Sequence, residues 1–253
     1  MLKAQLLSVS RNGQAVLDNA SVDIRPGCLH VILGPNGAGK TSLLKALSGL
    51  TTVDSGSILL QGKKIQSYSV SERSLLMSVL LQEQSLDFPF KVRDVVSMGA
   101  YPVDATLLQM DSVVQQAMAA LEIEHLADRN YTALSGGEKQ RTHVARLLVQ
   151  TTAATCYVLL DEPLKAIDLK HQVALMQQFR AMADQGKAVL LVLHDLTLAA
   201  RFADTITLMD KGRIIKTGSV EQVMQPGILS SVFQTPINAT QAMGHTLFFV
   251  HST

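Results

Sequence analysis

Residues 34–41 read Gly-Pro-Asn-Gly-Ala-Gly-Lys-Thr, which is the spacing of a loop that cradles nucleotide phosphates. Glycines let consecutive backbone N–H groups converge on phosphate oxygens, and the N-terminus of a following helix adds partial positive charge. Lys40 can reach the β- and γ-phosphates, and the Thr41 hydroxyl can bind Mg²⁺. A bare glycine-rich turn would need neither group. The pattern predicts a nucleotide site formed by Gly34, Pro35, Asn36, Gly37, Ala38, Gly39, Lys40, Thr41 and Ser42.

Two carboxylates, Asp161 and Glu162, follow an apolar run at 156–160 that has the length of a buried strand. In a parallel sheet, residues at the ends of neighbouring strands meet at one edge. Asp161 is therefore expected to hold Mg²⁺, directly or through water, and Glu162 to polarise an attacking water. An acidic turn is the alternative, but the phosphate loop upstream favours the catalytic interpretation.

The sequence Leu134-Ser135-Gly136-Gly137-Glu138 precedes a helical pattern. Ser135 and Glu138 have the spacing of a capping box. Two adjacent glycines are poor helix formers, so they indicate that something approaches the backbone closely. Both interpretations hold together if Ser135, Gly136 and Gly137 cap a helix whose N-terminus meets a second phosphate group.

The elements that must position these residues follow from apolar spacing. Loose alternation in residues 2–27 predicts an antiparallel β-layer, and 29–33 predicts a strand before the phosphate loop. Further strands at 76–81, 156–160 and 188–193, separated by helical patterns, predict a parallel sheet. The fold expected is α/β, a P-loop NTPase core with a parallel sheet, an N-terminal antiparallel β-layer and an inserted helical subdomain. We place the core at 1–86 and 152–253, and the helical subdomain at 87–151.

Charge, cysteine content and the lack of long apolar segments argue against several classes of protein. The chain has 253 residues, with 22 Lys and Arg against 21 Asp and Glu and a formal charge of +1, which leaves no basic stripe for nucleic acid. Cys28 and Cys156 fit reduced thiols better than a disulfide framework. The N-terminus lacks the apolar core of a secretory signal, and no stretch has the roughly 20 apolar residues that span a bilayer. An intracellular protein is expected.

Together these motifs resemble the ATP-binding cassette family over nearly the whole chain. The resemblance implies a head-to-tail homodimer in which residues 134–138 of one subunit close over ATP on the loop of the other. Gln82 matches the glutamine that links Mg²⁺ and the water to the membrane subunits. His194 matches the switch histidine at the γ-phosphate, and Asp168 matches an aspartate that crosses the dimer interface.

Two departures from the family pattern stand out. Arg11 lies where the family usually has an aromatic residue that stacks on adenine, and its guanidinium plane could stack instead. Leu164 and Lys165 replace two small hydroxyl residues at the expected dimer seam. The resemblance therefore assigns nucleotide contacts to Arg11 and Asp168, catalysis to Glu162, His194 and Gln82, and Mg²⁺ binding to Thr41, Gln82 and Asp161.

Within the family, residues 80–82, 88–99 and 168–172 resemble the haem importer ATPases, whose neighbours import ferric siderophores and cobalamin. We expect an ATP-hydrolysing subunit, peripheral on the cytoplasmic face of the inner membrane. Its partners would be a permease dimer, docked on the helical insert Phe88–Leu126, and indirectly a periplasmic substrate-binding protein. The alternatives are a siderophore or cobalamin importer ATPase, a nucleotide-gated interaction module with little hydrolysis, and, less favoured, a small-molecule kinase.

Overall fold

The computed structural model describes residues 1–82, 86–101 and 107–250, apart from the side chains of 107–109. In chain order its strands are β1 (Leu2–Arg11), β2 (Gln14–Ile24), β3 (Leu29–Leu33), β4 (Ser55–Leu60), β5 (Lys63–Lys64), β6 (Met77–Leu80), β7 (Tyr157–Asp161), β8 (Ala188–Val192), β9 (Thr205–Asp210), β10 (Arg213–Gly218), β11 (Ile237–Ala242) and β12 (His245–Val250). Its α-helices are α1 (Lys40–Leu47), α2 (Val70–Leu76), α3 (Val92–Ser97), α4 (Leu107–Ala120), α5 (Gly136–Gln150), α6 (Leu169–Asp184), α7 (Leu196–Phe202), α8 (Val220–Val223) and α9 (Pro226–Phe233).

The contacts divide the chain into two units. The first contains Met1–Tyr68 and the chain from Phe179 onward, and the second contains Ser69–Gln178. The predicted helical subdomain 87–151 lies within the second unit, and its own boundaries stay a prediction. The phosphate loop belongs to the first unit and the paired carboxylates to the second, so each unit carries part of the predicted chemistry.

The first unit contains the predicted antiparallel β-layer, with strand order β2-β1-β4-β5. Asn12 and Gly13, at φ values of 50° and 77°, form the tight turn between β1 and β2, as an Asn-Gly pair favours. The buried residues of β1 and β2 are all apolar, and most of the residues between them are exposed or half-buried; the buried set is Leu2, Ala4, Leu7, Val9, Leu17, Ala20, Val22 and Ile24. The alternation predicted the layer because one face is buried and the other is exposed.

The same unit contains strands in the order β10-β9-β3-β8. β3 pairs in parallel with both β8 and β9, and β10 closes the edge as an antiparallel hairpin with β9. Every residue of β3 and β8 is buried, which is why β8 is a continuous apolar run and β3 is one apart from His30. The predicted strands 29–33 and 188–193 and the predicted parallel sheet are confirmed. The pair Lys211-Gly212 between two apolar stretches predicts the β9–β10 hairpin, which the structure also has.

The second unit combines a parallel strand pair with helices. β6 pairs with β7 so that Leu80 lies opposite Leu160. Helices α3, α4 and α5 pack against one another around Val92, Val95 and Val144, which are fully buried. This unit therefore contains the helical insert that the sequence predicted after β6.

Some local predictions were wrong. The apolar spacing of residues 169–182 predicts Leu169 on the buried face of a helix, but Leu169 is 79% exposed. Met98 lies on a similar apolar stripe, which predicts a core residue, but it is 39% exposed. Strand β11 was not predicted because, after Ile237, its residues are polar or small and exposed. It pairs with β12 alone, as a hairpin. None of these three differences involves a predicted site residue.

Candidate functional site

The phosphate loop connects the buried strand β3 to helix α1, and its glycines have different reasons to be there. Gly34 and Gly39 have positive φ, and a Cβ at Gly34 would collide with the carbonyl oxygen of Met209. A Cβ at Gly39 would lie 2.6 Å from the carbonyl oxygen of Val16. Gly37 has a φ of 78° and open space around it. Packing therefore requires Gly34 and Gly39, whereas Gly37 is required by its backbone conformation alone.

Lys40 folds back over this loop. It is 6% exposed, and its Nζ donates to the carbonyl oxygens of Gly34 at 2.8 Å and Pro35 at 2.9 Å. Thr41 and Ser42 follow in the first turn of α1, where backbone N–H groups have no partner within the helix. The loop thus presents helix N–H groups, hydroxyls and an ammonium group at one place, which suits a polyphosphate.

The first unit also brings His194 to the edge of the sheet where the loop lies. The loop follows β3 and His194 follows β8, and these parallel strands are in register with Ile32 opposite Val192. His194 is exposed and precedes Asp195, which caps α7 by accepting from the backbone N–H of Leu198 at 2.8 Å. Arg11 lies at the end of β1, at the β1–β2 hairpin, and is exposed.

In the second unit, Gln82 and Glu162 meet where β6 and β7 end. Gln82 Nε2 donates to Glu162 Oε2 at 2.8 Å. Asp161 is the last residue of β7 and is fully buried. Glu162 has a φ of 50°, a left-handed conformation that is uncommon for a residue with a side chain. Two of the predicted catalytic residues therefore make direct contact, and a strained backbone carries one of them.

Side chains from neighbouring helices hold the segment that continues from Glu162 to Asp168. Gln140 of α5 donates to the carbonyl oxygen of Pro163 at 3.1 Å. Gln172 of α6 donates to the carbonyl oxygen of Ile167 at 2.9 Å and that of Leu164 at 3.3 Å. Sequence reasoning missed both glutamines, because a glutamine that supports a loop backbone has no spacing pattern of its own.

The two residues that replace the family's small hydroxyl residues, Leu164 and Lys165, lie in different environments. The side chain of Leu164 is buried, so it has become part of the packing beneath the segment. Lys165 is largely exposed, and its Nζ lies 3.8 Å from Glu162 Oε2. The substitution thus places a cation beside the predicted general base.

The glycine motif before α5 is a capping box, as its spacing predicted. Ser135 Oγ accepts from the backbone N–H of Glu138 at 3.3 Å, and Glu138 Oε2 accepts from the backbone N–H of Ser135 at 2.7 Å. These hydrogen bonds lower the pKa of Glu138. A Cβ at Gly137 would lie 2.5 Å from the carbonyl oxygen of Ala166, whereas a Cβ at Gly136 would make ordinary contacts. Packing within the chain explains Gly137 and leaves Gly136 open to another group.

Asp168 lies at the start of α6 and accepts from the backbone N–H of His171 at 3.1 Å and from its ring Nδ1 at 2.7–2.8 Å. These bonds lower the pKa of Asp168. No role was predicted for His171. The three-residue spacing from an acidic residue at a helix start was the available signal, since such pairs lie on one face.

A family model described as ABC transporter matches residues 17–165, which is more than half of the chain. The chain belongs to the ABC transporter family. The resemblance drawn from the motifs is therefore confirmed, and with it the α/β P-loop fold and an ATPase of the transport class. Across the described ranges, no helix has both the length and the apolar character needed to cross a bilayer.

Individual relatives agree with this family. The hemin import ATP-binding protein HmuV of Pseudomonas fluorescens (strain Pf0-1) is 40% identical over 251 residues, covering 98% of both chains. An ATP-binding subunit of an ABC transporter has a similar structure, with a TM-score of 0.80, 20% identity and coverage of 92% of this chain and 98% of that one. A bacterial ABC transporter cassette solved as a dimer has a TM-score of 0.76, 22% identity and coverage of 87% and 99%. At these identities the two solved structures support the fold alone.

Proposed function

We propose that this chain is the ATP-hydrolysing subunit of an ABC importer that energises haem uptake across the bacterial inner membrane. The observation that carries the substrate is the 40% identity to a hemin import ATP-binding protein over 98% of both chains. The observation that carries the chemistry is the pairing of Gln82 with Glu162 at the end of the parallel strands.

Each site residue has a role in this proposal. The loop from Gly34 to Ser42 binds the phosphates of ATP, with Lys40 exchanging its loop carbonyls for phosphate oxygens. Glu162 acts as general base toward the attacking water, and Gln82 orients that carboxylate and senses the permease. His194 contacts the γ-phosphate, and Arg11 stacks on the adenine. In the dimer, Ser135, Gly136, Gly137 and Asp168 complete the partner's nucleotide site.

Mg²⁺ fits the donor groups that the chain offers. The hydroxyl of Thr41, the carboxylate of Asp161 and the amide oxygen of Gln82 are the oxygen ligands that this ion prefers. When bound, Mg²⁺ would neutralise charge on the β- and γ-phosphates. The protein's own contribution is to hold these oxygens on the ends of rigid strands and on the first turn of α1.

The proposed partners are a second copy of this chain and a permease dimer, on the cytoplasmic face of the inner membrane, with a periplasmic binding protein delivering haem. Exposed apolar side chains support docking on the helical insert. Phe88 is 70% exposed and Tyr101 is 95% exposed, and Phe90 and Met98 add partly exposed apolar area. Exposed apolar area of this kind is typical of an interaction surface.

Transport by the purified complex tests the proposal. The subunit is co-purified with its permease into proteoliposomes and offered haem-loaded and siderophore-loaded binding proteins in parallel. ATP-dependent uptake of haem alone, lost in Lys40→Ala, is expected. Uptake of the siderophore instead keeps the ATPase role and overturns the substrate.

The cation of Lys165 beside Glu162 favours one second candidate, a nucleotide-gated interaction module with little hydrolysis. A steady-state phosphate-release assay separates the two. Sustained release that Glu162→Gln abolishes supports the importer ATPase, and ATP binding without release supports the module.

A further inference from the structure

His171, in the first turn of α6, lies among charged groups from three parts of the second unit. Its side chain is 16% exposed. Nδ1 faces both carboxylate oxygens of Asp168, at 2.8 and 2.7 Å. Nε2 lies 3.2 Å from Glu122 Oε2, just beyond α4, and 3.4 Å from Nη1 of Arg141 on α5. Lys170 also bonds Glu122, at 2.8 and 3.0 Å.

The partners of the His171 ring require a proton on Nδ1, but they are compatible with either protonation state of Nε2. The Asp168 carboxylate can only accept, so Nδ1 must carry a proton. Glu122 also only accepts, because the hydrogen bond from Lys170 lowers the pKa of Glu122 and keeps it ionised. A guanidinium only donates, so Arg141 needs the lone pair of Nε2. One nitrogen cannot serve both partners at once.

The protonation state of Nε2 affects the segment that begins with Glu162, because the first turn of α6 is hydrogen-bonded to that segment. The backbone N–H of His171 also bonds Asp168, and the adjacent Gln172 bonds the carbonyl oxygens of Leu164 and Ile167. Arg141 lies on the helix that Ser135 caps, and it donates to the carbonyl oxygen of Leu121 at 3.2 Å. His171 therefore connects this segment either to α5 or to the end of α4.

We propose that His171 is a positioning residue whose protonation selects the helix that holds the Glu162–Asp168 segment. The neutral ring holds the segment to α5 through Arg141, and the cationic ring holds it to the end of α4 through Glu122. Since α5 begins with the motif proposed to bind ATP, the neutral state is the one that supports hydrolysis. Only this last consequence rests on the proposed function.

The first test is direct and independent of activity. Ring ¹⁵N NMR of the full chain reports which nitrogen of each histidine is protonated. The expected neutral form of His171 is the Nδ1–H tautomer, which gains its second proton on Nε2 as the pH falls. A neutral ring with its proton on Nε2 would overturn the proposal, whether or not the protein hydrolyses ATP.

The second test separates the two nitrogens with a matched pair of variants. In His171→Asn the side-chain amide takes the place of Nδ1 and keeps the donor to Asp168, but nothing reaches the outer partners. In His171→Gln the amide takes the place of Nε2 and the donor to Asp168 is lost. Glu122→Gln removes the anionic acceptor from an exposed position, and His125→Asn, at an exposed histidine of the same unit, is the control.

ATP hydrolysis is then measured against pH, with ATP binding measured separately. The unchanged protein and His125→Asn are expected to lose kcat as the pH falls, because the second proton on His171 exchanges Arg141 for Glu122. Glu122→Gln should keep kcat at high pH and lose less of it at low pH, because the anionic acceptor for the second proton is gone. His171→Asn, which cannot reach Arg141, should lower kcat at high pH and make it less dependent on pH. His171→Gln should lower kcat roughly fivefold at every pH with KM unchanged, about the net worth of one hydrogen bond.

The outcomes are distinguishable. Identical pH profiles for all variants, with the unchanged protein hydrolysing ATP, overturn the role of His171 and leave the proposed function intact. Absence of hydrolysis in the unchanged protein, with the Nδ1–H tautomer observed, counts against the proposed function and leaves the protonation switch standing.

Discussion

Glu162 combines a left-handed backbone with a side chain that is held in place, and both features concern its role as a base. Gln82 holds one carboxylate oxygen, and Lys165 lies near the same oxygen. A carboxylate fixed in this way can take a proton from water in one orientation only. The strain at Glu162 is maintained because Gln140 binds the backbone on either side of the Glu162–Pro163 bond.

Glu162→Gln is expected to lower kcat for ATP hydrolysis by roughly 10²- to 10⁴-fold, the usual contribution of a general base. The amide keeps the size of the side chain and a hydrogen bond to Gln82, so ATP binding should be unchanged. Phosphate release and equilibrium nucleotide binding are measured on the same preparation. Near-normal turnover would remove Glu162 from the role of base.

A second residue-scale prediction concerns His30, which is 1% exposed and bonds Thr207 at 2.8 Å through Nε2. Burial, with a contribution from the charge of Arg25, lowers the pKa of His30 from 6.5 to about 4. Between these values the unfolded chain binds a proton that the folded chain does not. The free energy of unfolding therefore falls as the pH drops through this window, by up to about 1.4 kcal/mol per pH unit.

His30→Gln should flatten that pH dependence, because the substituted side chain cannot gain the proton. Urea unfolding at a series of pH values measures it, and His125→Gln at an exposed position is the control. An unchanged slope in His30→Gln would mean that other groups cause the acid sensitivity.

At the scale of elements, the motif before α5 both caps that helix and leaves room for a neighbouring carbonyl group. The capping box positions its first turn, and Gly137 lets the carbonyl of Ala166 approach that turn. Gly136 has no such constraint, so the two glycines can be tested separately.

Gly137→Ala is expected to destabilise the fold by about 1–3 kcal/mol, the usual cost of overpacking. Gly136→Ala should leave stability near that of the unchanged protein, since its Cβ would make only ordinary contact with Ala166, but should weaken ATP-driven dimerisation. Thermal unfolding and size-exclusion chromatography with ATP measure the two effects. Equal stability losses would contradict this division of roles.

The elements that apolar patterns predicted well are the ones buried on both faces. β3, β7 and β8 are fully buried. A short run between turns that is rich in Val, Ile and Leu is typical of such a buried strand. β11 was missed because its exposed residues carry no such pattern. Leu169 was misplaced because a helix's first turn can project beyond the core that its later turns cover.

The site was predictable where the chemistry depends on residue type and spacing, as in the loop at 34–41 and the pair Asp161–Glu162. The supporting side chains Gln140, Gln172 and His171 were not, since their partners are backbone carbonyls or residues distant in sequence. Contacts of that kind exist only once the fold has brought the elements together.

At the scale of the whole molecule, the helical insert is expected to transmit ATP-driven motion to the permease. Replacing Phe88 and Tyr101 together by serine should reduce haem uptake at least roughly tenfold, because buried aromatic anchors dominate interface energy. Basal hydrolysis should not change. The control is Met243→Ser, a 99% exposed apolar position on the β11–β12 turn. Normal uptake by the double variant would place the permease contact elsewhere.

The position of Lys40 affects which nucleotides the phosphate loop can bind. Its ammonium group donates to two carbonyl oxygens of the loop. When a nucleotide binds, phosphate oxygens must therefore replace these carbonyl oxygens as acceptors. Because Lys40 is proposed to bind the β- and γ-phosphates, a ligand that has only an α-phosphate would offer it fewer oxygens in exchange for these carbonyls. We therefore expect this loop to bind a nucleoside monophosphate more weakly than ATP, even without a second subunit.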